Sequence, residues 1–172
     1  SATAAPSLAK LTKSGFSRLW TAPITTRGRV GLPLGPFAID TITLPFKNPY
    51  QALFFAGGHD FLPNGDALLA TTHGDVWLAK GIDKNLRQIT WQRFATGLYQ
   101  PLGLKIVAGK IYVLGKDQIT ELRDLNGDGE ADHYRNFCNL SEISGGGHNY
   151  ATCLETDPQG NFWFIRCNDR TP

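Results

Sequence analysis

Residues 66–79 read DALLATTHGDVWLA, an apolar run, a His73-Gly74-Asp75 turn and a second apolar run. Two short runs rich in aliphatic, aromatic and β-branched residues, joined by a glycine turn, make a β-hairpin. Residues 110–124, KIYVLGKDQITELRD, repeat the texture. Leu68, Leu69 and Ala70 recur 43 residues on as Ile111, Tyr112 and Val113; Val76 maps to Ile119, Trp91 to Tyr134 and Phe94 to Phe137. A third copy opens with GGHNY (146–150), echoing GGHDF (57–61), and runs on to FWFI (162–165). Four short strands per period of about 40 to 45 residues is the spacing of a β-propeller blade. A β-sandwich has no reason to repeat at that interval. The expectation is an all-β chain holding about two and a half four-stranded blades (57–95, 100–138 and an incomplete 146–172) of a ring of about six.

Outward from the hairpin, runs at 37–44, 52–61, 89–95, 102–107, 132–137, 150–156 and 161–167 complete the set, and none shows a sustained helical period. Residues 37–172 therefore read as the N-terminal part of the propeller. Residues 1–36 mix Ala, Ser, Thr, Pro and Gly with basic residues and read as a linker or the tail of a preceding domain. The chain begins with Ser1, contains no methionine, and reads as a piece of something longer.

Net charge is +2 over 172 residues, which excludes a nucleic-acid binder acting through bulk charge. At 41% hydrophobic and 19% charged residues the chain has the composition of a globular domain with a real core. No apolar run approaches the roughly 18 to 20 residues of a membrane span. Cys138, Cys153 and Cys167 show no metal or haem spacing; Cys138 and Cys167, at ends of strands on one side, could pair.

The sharpest motif is DLNGDGEAD (124–132). It places oxygen side chains at alternate positions of a tight turn, Asp124, Asn126, Asp128 and Asp132, with Gly129 where the chain must bend. Hard cations take six to eight such oxygens. With Glu130 beside them, these residues are the expected calcium ligands. Arg135 stands where an EF-hand supplies its bidentate Glu, and no helices flank the loop, so the loop resembles the nine-position calcium turn of propeller hairpins. Meander topology puts it on the face opposite His59 and His148, which makes the ion a staple.

His59 in GGHDF and His148 in GGHNY each follow paired glycines and precede an acid or amide. A neutral histidine oriented by a carboxylate is a general base for a hydroxyl proton. Both are catalytic candidates by location, and the same motifs also read as devices for packing one blade on the next.

FLPNGDALLATTHGDVWLA (61–79), GLYQPLGLKIVAGKIYVLG (97–115) and QITELRDLNGDGEADHYRNF (118–137) together resemble the glucose/sorbosone dehydrogenase-like propellers of large bacterial multidomain proteins, over about 37–171. That resemblance implies a pyrroloquinoline quinone cofactor, a sugar or alcohol substrate, c-type cytochrome modules as redox partners and an extracytoplasmic location. The family's cofactor-gripping residues fall largely in blades beyond this span. Two other readings stand beside it: a non-catalytic propeller for binding or assembly, and a calcium-dependent lactonase-type propeller, whose Glu, Asn and Asp set is not seen here.

Overall fold

A computed structural model describes residues 18–140 and 149–167. Those residues form strands and no helix: β1 (Ile24–Thr26), β2 (Ala56–Phe61), β3 (Ala67–Thr71), β4 (Val76–Lys80), β5 (Ile89–Ala95), β6 (Gly103–Val107), β7 (Lys110–Leu114), β8 (Ile119–Arg123), β9 (His133–Cys138), β10 (Ala151–Thr156) and β11 (Phe162–Arg166). Every strand after β1 falls on a run that alternation predicts. All pairings are antiparallel, and they build sheet one in the order β1-β5-β4-β3-β2, sheet two as β6-β7-β8-β9 and sheet three as β10-β11.

Part of the stretch read as a linker belongs to sheet one. Ile24 and Thr26 pair with Trp91 and Ile89, and the Trp91 indole N–H donates to Thr26 Oγ1 at 2.8 Å. The run 37–44, expected as a strand, makes a single bridge among the described residues, Arg29 to Thr41. It still alternates: Ile42 and Leu44 pack on the core that holds Phe54, Trp77 and Trp91, while Thr41 and Thr43 are exposed.

Three apolar clusters divide the interior. One fills the space between sheets one and two (Leu68, Ala70, Val76 and Phe94 against Leu104, Val113 and Leu122). Another joins sheet two to sheet three (Tyr112, Leu114 and Ile119 against Ala151 and Leu154). The last lies under the N-terminal segment. The first strands of the sheets lie side by side, β2 against β6 and β6 against β10. Glycine makes this approach possible. A Cβ on Gly57 would strike Pro101 O, one on Gly58 the Leu104 N at 2.5 Å, and one on Gly103 the Leu154 Cβ at 2.7 Å. Asp60 Oδ2 ties the strands further by accepting the Ile106 N–H at 2.8 Å.

Register corrects the repeat in two places. Ala70 faces Val76 across one hairpin, but Leu114 faces Ile119 across the other, so the second turn is one residue shorter. The 43-residue offset therefore holds for β4/β8 and β5/β9, while Leu68 corresponds to Tyr112 and Ala70 to Leu114. A one-residue slip turns every side chain to the other face. The third sheet is set by its turn. Leu62 N–H to Asp66 O and Gly65 N–H to Leu62 O recur as Asp157 N–H to Asn161 O and Gly160 N–H to Asp157 O. Phe61 thus corresponds to Thr156 and His59 to Leu154, not to His148, which lies outside the described residues.

Candidate functional site

The 124–132 loop closes on itself through its own carboxylates. Asp124 Oδ1 accepts the Gly127 N–H (2.7 Å) and Oδ2 the Gly129 N–H (2.8 Å); Asn126 Oδ1 accepts from Asp128 N–H, Asp128 Oδ1 from Glu130 N–H, and Asp132 Oδ2 from Leu125 N–H (2.8 Å). Gly127 and Gly129 have φ of 76° and 89°, which only glycine adopts without strain. At Gly129 a Cβ would also strike the Gln92 amide, which donates to Gly129 O at 2.9 Å.

Glu130, expected as a calcium ligand, is engaged elsewhere. It is 6% exposed, and its two carboxylate oxygens accept the Leu19 N–H (2.7 Å) and the Trp20 N–H (2.9 Å), more than a hundred residues away in sequence. Arg18 Nε donates to Asp128 O at 2.7 Å. Trp20 continues the junction by lying 5.2 Å from the Arg93 guanidinium, which also faces the Tyr50 ring and pairs with Asp75 at 2.5 Å. Thr96 Oγ1 donates to the same Asp75 oxygen at 2.6 Å, and Thr96 N–H donates to Tyr134 Oη at 3.0 Å. Burial raises the pKa of that phenol. The loop is therefore a hub that binds the N-terminal segment, sheet one and sheet two together.

Among the described residues, no three of His, Cys, Asp or Glu gather as a group that could hold a metal ion. Asp124, Asn126, Asp128 and Asp132 supply the donor chemistry of a calcium site, but they are engaged with amides of their own loop, and Glu130 is taken up by the N-terminal segment.

His59 sits inside β2, opposite Leu69, rather than at a strand's leading end. Its ring meets Phe61 edge-on at 6.2 Å, and among the described residues its imidazole has no hydrogen-bond partner. Asp60, the carboxylate expected to orient it, is spent on the Phe61 and Ile106 amides. At the ends of the first strands where ligands were expected, the polar groups are others. Lys116 is 8% exposed with its ammonium 5.7 Å from the Tyr99 ring, Gln100 Oε1 is buried with no hydrogen-bond partner among the described residues, and buried Asn149 accepts from Arg166 Nε at 3.4 Å.

A groove of about 660 Å³ opens at the loop end between sheets one and two, lined by Leu62, Leu78, Phe94, Ile111 and Leu122. Beside it Glu121, 1% exposed, pairs with Arg123 at 2.7 Å and Arg135 at 3.1 Å. The hydrogen bond from Arg123, aided by the charges of both arginines, holds its carboxyl below the ordinary value against the cost of burial. Cys138, half-buried, and Cys167, exposed, which could have paired, are not joined by a disulfide. No helix of the described residues is long and apolar enough to cross a membrane.

Comparison with family models, curated proteins and solved structures finds no match to this chain.

Proposed function

We propose that the chain is a run of successive β-propeller blades and that it works as a binding and assembly module. The observation that carries this reading is the use of its first strands. β2, β6 and β10 lie side by side with glycine at the points of contact, as blades do around an axis. Asp60, expected to orient the His59 imidazole, bonds β6 instead, and His59 is exposed at the position where sheets two and three place the buried residues Leu104 and Leu154.

A quinoprotein dehydrogenase is the second reading, favoured by buried Lys116 beside Tyr99 and Gln100. An ammonium is a group that can hold a quinone carboxylate, and the quinone would supply hydride acceptance. Calcium in the 124–132 loop belongs to the proposal on donor chemistry. The deciding experiment is thermal unfolding with and without pyrroloquinoline quinone, followed by dye reduction with sugars and alcohols. An unchanged transition and no turnover support the assembly role; a quinone shift with turnover that His59→Ala abolishes overturns it.

A further inference from the structure

Residues 30–39 read VGLPLGPFAI, ten residues without a side chain that ionises or donates a hydrogen bond. They form a loop tied at its stem. Arg29 and Thr41 exchange two backbone hydrogen bonds (2.9 and 2.8 Å), and Asp40 Oδ1 accepts the Gly31 N–H at 2.8 Å. Gly28 N–H donates to Leu86 O at 2.8 Å, which fixes the stem to the turn between β4 and β5. Past the stem on one side, Ile42 and Leu44 pack on the core of sheet one. The loop itself does not. Leu32 is 72%, Leu34 87%, Phe37 83% and Ile39 77% exposed, and none of them joins an apolar cluster among the described residues. Nor do the two arms close on each other: a cleft of about 410 Å³ opens between them, lined by Val30, Leu32, Leu34, Phe37 and Ile39. A contiguous apolar surface of this kind marks a site of contact with a lipid or protein surface.

We infer that this loop docks the protein on an anionic lipid surface, its apolar tip among the headgroups and upper acyl chains and Arg27 and Arg29 level with the phosphates. The charge pattern is what selects a bilayer. Both arginines are exposed, stand at the stem immediately before the tip, and take part in no ion pair among the described residues. Residues 24–58 hold one acid, Asp40, against Arg27, Arg29 and Lys47. An apolar tip below a basic collar matches the layering of an anionic membrane surface, where phosphates lie over hydrocarbon. The backbone sets the depth. Hydrocarbon offers the loop amides no acceptor, whereas headgroups and water do, so the tip stays interfacial; Pro33 and Pro36 carry no N–H to leave unpaired. The inference stands apart from the blade reading, because the loop lies outside the three repeated sheets.

The test is co-sedimentation of the chain with sucrose-loaded vesicles of phosphatidylcholine alone and of phosphatidylcholine mixed with phosphatidylglycerol. Wild type should bind the mixed vesicles, bind the neutral ones more weakly, and release as salt rises. Leu34→Asp should weaken binding by about tenfold or more, the effect of putting a charge where an apolar side chain enters the bilayer. Arg27→Gln combined with Arg29→Gln should weaken binding to the mixed vesicles by about twenty-five-fold, at about fivefold per charge near the surface. These side chains are exposed, so circular dichroism should show unchanged folding. Phe37→Trp reports the place: relative to wild type, its added emission should shift to the blue on mixed vesicles and be quenched by brominated phospholipid. No binding to the mixed vesicles, binding indifferent to Leu34→Asp, or an added tryptophan that stays unquenched overturns the inference. A chain that ignores vesicles but self-associates, and that Leu34→Asp returns to a monomer in sedimentation velocity, puts a protein on the loop and overturns it as well.

Discussion

Replacing Glu130 by alanine should release the N-terminal segment from the loop. The buried carboxylate accepts two amide hydrogens, from Leu19 and Trp20, at 2.7 and 2.9 Å. Each hydrogen bond to a charged group contributes about 1.5 to 3 kcal/mol, so the pair sets an upper bound near 6 kcal/mol. The segment can lift and let water reach the amides, which caps the loss at what its docking contributes. We expect about 2 to 4 kcal/mol for Glu130→Ala and roughly half of that for Glu130→Gln, whose amide keeps one acceptor. Denaturant unfolding gives the magnitude, and amide hydrogen exchange gives the place. In Glu130→Ala the Leu19 and Trp20 amides should lose protection while those of β3 and β4 keep theirs at low denaturant. A loss below about 0.5 kcal/mol, within the range of an ordinary surface substitution, or unchanged exchange at Leu19 and Trp20, would refute the hub.

Other outcomes follow from the same contacts. Gly58→Ala should cost about 1 to 3 kcal/mol, because the new methyl meets the backbone of β6 and the two strands must part; thermal unfolding reads it. Glu121 has a lowered folded-state pKa, so its ion pairs contribute stability above the ordinary carboxylate value of 4.5 and lose it as pH falls through the lowered one. Unfolding free energy measured from neutral to acid pH should therefore drop more steeply in wild type than in Glu121→Gln. Calcium should raise the melting temperature and a chelator reverse it, with Asp128→Ala abolishing the increment; equal melting with calcium and chelator counts against an ion in the loop.

Strand positions were legible because alternation and turn residues report burial on one face, and β5 coincides with its predicted run. β1 was not: Ile24-Thr25-Thr26 is too short to stand out, and its place comes from the Trp91 indole and the exposed edge of β5. The run 37–44 has the alternation of a strand, but alternation needs only one packed face, and among the described residues Arg29 alone bridges to it. His59 and His148 looked equivalent because both follow glycine pairs. A glycine pair marks close approach, whereas register is set by turn length, and the shared Pro-Asn-Gly and Pro-Gln-Gly turns at 63–65 and 158–160 carried the signal. The loop's ligand-like spacing was plain in the sequence. The hold of Glu130 on Leu19 and Trp20, and the Asp75–Arg93–Thr96 cluster, join distant segments that no local pattern connects.

The central claim is that three sheets stack through their first strands. Methyl-resolved nuclear Overhauser spectra test it most directly, by asking which side chains meet between sheets. The account predicts cross-peaks of Leu104 with Leu68 and Ala70, and of Leu154 with Leu114, flanking Gly103. Cross-peaks confined within each sheet, with none between Leu154 and Leu114, would contradict it.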